Sequence, residues 1–103
     1  MNYRNRALLD LAYQIECTLQ LPGQCEGGIG EPCHSNQSVH GKGGSLKAHD
    51  CFFASGCRSC HRELDQGKRY TREEKREFWQ RAHERTLLAL WERGLVKVAE
   101  GRG

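Results

Sequence analysis

Apolar residues recur with helical spacing in two stretches of the chain. Leu8, Leu9, Leu11, Ala12 and Ile15 form a stripe uninterrupted by glycine or proline. This predicts a short helix over residues 4–16, within an N-terminal helical segment 1–16. Further on, Phe78, Ala82, Thr86 and Leu90 fall at i, i+4 intervals, with Trp79, Leu87 and Trp91 beside them. They predict one apolar helix face packed on the rest of the protein. Thr71-Arg-Glu-Glu74 has the pattern of a capping box, and Gly94 is a natural stop, so this helix is expected over 71–94. Between the two stretches the signal weakens. Glu16 to Leu21 alternates and reads as a strand closed by a Pro22-Gly23 turn. Residues 23–44 hold seven glycines and read as loops organised around a metal or ligand. Cys51-Phe-Phe-Ala54 predicts a strand within His49–Gly56, and Ser59 to Asp65 a short helix ended by Gly67. Leu95 to Val98 reads as a last short strand, with a frayed end at Glu100 to Gly103. The pattern is that of a small α+β fold with a long C-terminal helix.

With 103 residues, 37% of them hydrophobic, the chain is expected to form a single domain, 1–103, with a thin core. The longest apolar run, Leu87 to Trp91, is far shorter than the ~18 residues of a membrane span, so no membrane partner is expected. Met-Asn-Tyr-Arg-Asn-Arg lacks the apolar stretch of a secretory signal, which points to the cytoplasm. Six cysteines and five histidines change the picture most. Disulfides need an oxidising compartment, whereas zinc staples small domains in any compartment. A structural Zn²⁺ is therefore expected. The formal charge of +3 falls almost to neutrality once four thiolates surround a divalent ion, so bulk charge does not identify a partner. Eleven of the sixteen basic residues are arginines, the better fork for phosphate.

Cys57-Arg-Ser-Cys60 places two thiolates at the spacing that fills one edge of a zinc tetrahedron. A redox role for this pair would call for a βαβ pattern that the sequence lacks. Cys17 and Cys25 are the expected second pair, because Pro22-Gly23 between them folds the chain back; Cys33 and Cys51 are the competing donors. A closed four-cysteine site does no chemistry, so function falls to the histidines. His61 follows the knuckle directly, His34 sits in Cys-His-Ser-Asn-Gln, and His40 precedes Gly41-Lys-Gly-Gly44.

The ordered set His34-Ser-Asn-Gln37, Gly41-Lys-Gly43, Lys47-Ala-x-Asp50 and Cys57-x-x-Cys60-His61-x-Glu-x-Asp65-Gln-Gly67 resembles the YbcO-like nucleases of phages and prophages. These fall within the HNH group of treble-clef, ββα-metal endonucleases. The resemblance runs over residues 15–98. It implies a zinc-stapled treble-clef core, a DNA substrate, a catalytic divalent metal (Mg²⁺, Mn²⁺, Ni²⁺ or Zn²⁺), and a phage- or prophage-encoded protein in the cytoplasm of a bacterial host. By the same resemblance His34 is the general base and His61 a ligand of the catalytic metal. Asp50 stands near the position, usually asparagine, that orients the base, with His49 as near a neighbour. Cys33 occupies a place where many members carry an acidic or histidine ligand, which leaves His40, Asp65 or Asp50 as the second ligand. Lys42, Lys47, Arg58 and Arg62 are candidate phosphate contacts. Two other readings remain at this point. One is a non-catalytic treble-clef module that binds nucleic acid or a protein. The other is a helix-mediated dimer anchored by Trp79 and Trp91.

Overall fold

Asn5 starts the first helix. It is extended (φ −152°), and its side-chain oxygen accepts the Leu8 N–H at 3.0 Å, capping α1 at Arg6–Asp10. A 3₁₀ turn, Leu11–Gln14, prolongs α1, and Ile15 is already extended. The helix is thus shorter than the expected 4–16. In this computed structural model, which describes residues 2–99, the polypeptide after Ile15 turns out of the helix and back upon itself. Cys17 N–H donates to Gly28 O at 2.9 Å and Gly30 N–H to Ile15 O at 2.9 Å, tying the two ends of a loop together.

No strand forms at Glu16–Leu21 apart from one bridge between Glu16 and Ile29. The reason lies in the backbone and in burial. Gln20 is left-handed (φ 49°), and Cys17, Thr18, Leu19 and Leu21 are all buried, so the segment packs rather than pairs. The first strand instead arises inside the glycine-rich stretch expected to be looped. This strand, β1 (Glu31–His34), pairs antiparallel with β2 (Phe53–Gly56) in the register Glu31–Gly56, Cys33–Ala54 and His34–Phe53. Pro32 is tolerated because β1 has a free edge and its missing N–H removes no ladder bond there. The strand β2 lies slightly C-terminal to its expected place, and no strand forms at Leu95–Val98. The expectation for Glu100–Gly103 lies outside the described residues. Cys57 leads from β2 into α2 (Arg58–Gln66), and α3 spans Arg72–Glu92.

The start of α3 is the capping box read from Thr71 and Glu74, with both reciprocal hydrogen bonds formed at 2.8 and 3.1 Å. Its end is a Schellman motif. Gly94 takes φ 67°, its N–H donates to Trp91 O, and Leu95 N–H reaches back to Leu90 O at 2.9 Å. The buried face is Trp79, Ala82, Thr86 and Leu90. Phe78 is displaced from the expected face: it is half-buried, edge-on to Tyr70 with ring centres 4.9 Å apart. Leu87 and Trp91 stay exposed.

The four residues of β2 are all buried, so this strand is covered on both faces. Ala54 faces a core that also contains Leu19, Leu21, Leu64, Trp79, Ala82 and four cysteines. Phe53 faces a second core with Leu9, Ala12, Ile15 and Leu90. Helix α3 packs along β2 and contributes to both cores. Between them runs a seam of buried hydroxyls. Thr86 Oγ1 accepts Ser55 N–H at 3.0 Å and meets Thr18 Oγ1 at 3.0 Å, while Ser55 Oγ donates to Ile15 O at 2.8 Å. Among the described residues no buried side-chain polar atom lacks a partner. No helix among them is long and apolar enough to cross a membrane.

Candidate metal centre and active site

Two places in the fold gather reactive side chains. At the first, Cys17, Cys25, Cys57 and Cys60 bring their sulfurs within 4.8 Å of one another, an arrangement able to hold a metal ion. Cys57 and Cys60 come from the start of α2, Cys17 and Cys25 from the loop folded back before β1. Backbone donors point at the sulfurs: Gly27 N–H to Cys25 Sγ at 3.3 Å and Leu21 N–H to Cys60 Sγ at 3.4 Å. Burial pushes the Cys57 thiol up, but the backbone N–H groups of Cys60 and Glu26 and the neighbouring thiols outweigh it and bring it down to about 7. Cys60 is pushed up by burial and by the thiols around it, as Cys25 is by burial first. Four crowded sulfurs that cannot all ionise unaided are what a cation relieves. The competitors lie elsewhere. Cys33 is fully buried in β1, and Cys51 is exposed.

At the second place, His34 at the end of β1 and His61 in α2 line one cavity of about 350 Å³, together with Asn36, Lys42, Lys47 and Asp65. His34 Nε2 lies 2.8 Å from Asp50 Oδ1. Asp50 is buried, and its other oxygen accepts the Asn5 N–H at 2.6 Å, while Arg4 Nη1 donates to Oδ1 at 3.1 Å. Burial alone would raise the Asp50 carboxyl, but His34, the Asn5 N–H and Arg4 hold it below the usual carboxylate range. An ionised Asp50 only accepts, so Nε2 of His34 donates to it.

His61 is gripped from both sides, with Nδ1 2.7 Å from Glu31 Oε2 and Nε2 3.1 Å from Asp65 Oδ2. The hydrogen bond it donates to Asp65, then the Cys33 thiol and Glu31, push its imidazole up to about 11 against the opposing effect of burial. Asn36 Nδ2 donates to the other Asp65 oxygen at 2.9 Å.

The structure brings His34 together with Asp50, and His61 with Asp65. His49 is engaged elsewhere, its Nδ1 accepting Tyr3 N–H at 3.0 Å. His40 is turned away onto Ser35 Oγ at 2.6 Å and stacks on Phe52 with ring centres 4.4 Å apart. Among the described residues Asp50 makes no contact with His61 within 4.0 Å and serves His34 instead. Three participants carry no signal in the sequence pattern: Glu31, Arg4 and Asn5. Glu31 precedes His34 by three residues, an odd spacing that in a strand points the two side chains to opposite faces. Arg4 and Asn5 act across more than forty residues of chain.

No family model and no curated protein sequence matches the chain. A solved structure does share its fold: a protein from Escherichia coli str. K-12 substr. MG1655, described as a putative bacteriophage protein. It superposes with a TM-score of 0.60 over 82% of this chain and 96% of that one, at 20% sequence identity.

Proposed function

We propose that this protein is a metal-dependent endonuclease of the HNH type that hydrolyses DNA phosphodiester bonds. The observation that carries this reading is that His34 and His61 line one cavity, each with a carboxylate on the ring. On this reading the hairpin β1–β2, helix α2 and the four-cysteine cluster form a treble-clef, ββα-metal unit stapled by a structural Zn²⁺. The shared fold with a protein described as phage-borne agrees with a phage or prophage origin.

Asp50, fixed by Arg4 and Asn5, holds His34 in the tautomer whose Nδ1 takes a proton from the attacking water. His61 and Asp65 would hold the divalent ion, which takes the place of the proton they now share; Glu31 then steadies the other ring nitrogen. When bound, such an ion polarises the phosphodiester and stabilises the leaving oxygen. Lys42 and Lys47 supply positive charge at the cavity wall.

One observation favours a second reading, a non-catalytic module that binds nucleic acid or a protein. Glu31 and Asp65 already satisfy both ring nitrogens of His61, so the cluster is electrostatically complete as it stands. Plasmid nicking separates the two. His34→Ala should slow nicking ~10²–10⁴-fold while the four-cysteine metal is retained. His61→Ala should lose activity together with binding of the second divalent ion. If the wild type fails to nick with Mg²⁺, Mn²⁺, Ni²⁺ or Zn²⁺, or if nicking survives chelator or His34→Ala, the endonuclease assignment is abandoned.

A further inference from the structure

The cavity holding His34 and His61 does not end at their side chains. It continues, through the shared wall of Asn36, Lys42 and Asp65, into a larger hollow of about 540 Å³ between the 36–44 loop and the first turns of α3. It also shares His61 and Asp65 with a smaller hollow of about 250 Å³ lined by Arg58, Arg62 and Glu31. The three hollows adjoin at Asp65, which lines all of them, and together they are the trough.

The larger hollow is cationic. Lys42, Arg72, Lys75 and Arg76 line it, and its one carboxylate, Asp65, is already engaged by His61 and Asn36. Among the described residues none of these four cations has a carboxylate within 4.0 Å. Lys42 and Lys75 donate only to carbonyls, of Gly44 and Gly67, and the side chains of Arg72 and Arg76 make no hydrogen bond among those residues. Two arginines elsewhere on helices do find a carboxylate: Arg6 pairs with Asp10 and Arg81 with Glu77. Arg72 and Arg76 are moreover like charges at i, i+4, an arrangement that weakens an isolated helix unless an anion lies between them.

We propose that this hollow is a phosphate-anchoring subsite for a nucleic-acid strand passing through the trough, with Arg72 and Arg76 as its principal contacts. The endonuclease reading supplies the scissile position between His34 and His61; the anchor lies beyond it on the α3 side and fixes which way the strand runs. A strand fits better than an isolated anion, because the adjoining hollow at His61 adds Arg62, which has no carboxylate within 4.0 Å among the described residues, beside Arg58, which pairs with Glu31 at 3.8 Å. The contacts are to backbone phosphates, so they position the strand and do not read its bases.

The test is the salt dependence of binding, measured by fluorescence anisotropy with labelled single-stranded and duplex oligonucleotides and no added divalent metal. Each phosphate contact adds about 0.7 (single strand) to 0.9 (duplex) to the slope of log K against log salt. Arg72→Gln/Arg76→Gln should lower that slope by about 1–2 and weaken binding by about tenfold or more at moderate salt. Metal content and melting temperature should stay at wild-type values, since neither side chain holds another part of the fold. Arg6→Gln/Lys97→Gln, the same change of charge away from the trough, should keep the wild-type slope. The anchor is overturned if the arginine variant keeps the wild-type slope, if the control loses as much, or if the wild type binds no oligonucleotide at low salt. Nicking is scored separately. An arginine-dependent slope in a protein that never nicks overturns the endonuclease reading and leaves the anchor; His34-dependent nicking with an unchanged slope does the reverse.

Discussion

The four-cysteine cluster and the histidine cavity are held in place by different means. The cluster draws all its donors from side chains of one type, two of them from a single turn, and its geometry depends on little beyond a folded-back loop. The cavity draws on the N-terminal segment, β1, the 35–52 connection and α2, and each key group is fixed by a partner far away in sequence. Asp50 is set by Arg4 and Asn5, and His61 by Glu31, thirty residues apart. A site of the first kind is all or nothing with respect to folding. One of the second kind loses its geometry by degrees.

Removing the metal tests that contrast most strongly. Structural zinc in small peptides contributes ~10–16 kcal/mol of apparent binding free energy, as much as a small domain's whole stability. Cys17→Ser, Cys25→Ser, Cys57→Ser and Cys60→Ser should each lose bound metal and cooperative melting, whereas Cys51→Ser should stay within ~0.5 kcal/mol of wild type. Metal analysis and thermal melts of the five variants decide this. Retention of metal in any of the first four would remove that residue from the ligand set.

Next in size is the packing that joins the two regions. Trp79 lies in the cysteine-containing core, donates its indole N–H to Cys33 O at 3.0 Å and stacks on His83, with ring centres 4.9 Å apart. Trp79→Ala should cost ~3–5 kcal/mol in chemical denaturation, and the half-buried Phe78→Ala distinctly less. The reverse order would put α3 in a different rotation about its axis.

Smallest is the carboxylate under His34. Asp50→Ala strands the Asn5 N–H and Arg4, at ~1–3 kcal/mol near neutral pH. The Asp50 carboxyl is depressed in the folded state. The stability it adds is therefore fully present above the ordinary carboxylate pKa and is lost as pH falls through the lower, folded value. The gap between wild type and Asp50→Ala should accordingly shrink on acidification, measured by denaturant melts from pH 7 down to pH ~3. A gap that widens on acidification would contradict the depressed carboxyl.

What the sequence disclosed follows the same division. The start and stop of α3 were readable because capping box and Schellman glycine are interactions within a few residues of each other. The four cysteines were groupable because thiolates have few other reasons to cluster. The face of α3 is legible at Ala82, Thr86 and Leu90 but not in its first turns, where Trp79 rather than Phe78 is buried, its indole reaching Cys33 O in β1. The strand β1 was hidden, since Glu-Pro-Cys-His has neither alternation nor strand propensity and is defined by its partner. Arg4, Asn5 and Glu31 were out of reach for the same reason. Hydrogen bonds across 30–46 residues leave no periodic trace.

The hydroxyl seam between the two cores also fixes where α3 can sit. Ala82, Thr86 and Leu90 stand one turn apart on the same face, and hydrophobic contact alone would tolerate the helix sliding along β2 by ~5.4 Å, one turn. In either shifted position an alanine or leucine would face Ser55 N–H and Thr18 Oγ1, leaving buried donors and acceptors unmade at ~1–3 kcal/mol each. Thr86 is the tooth that admits only one notch. Because Trp79 and the first turns of α3 ride on the same rod, that single hydroxyl indexes the distance from the sheet to the arginines at the helix start.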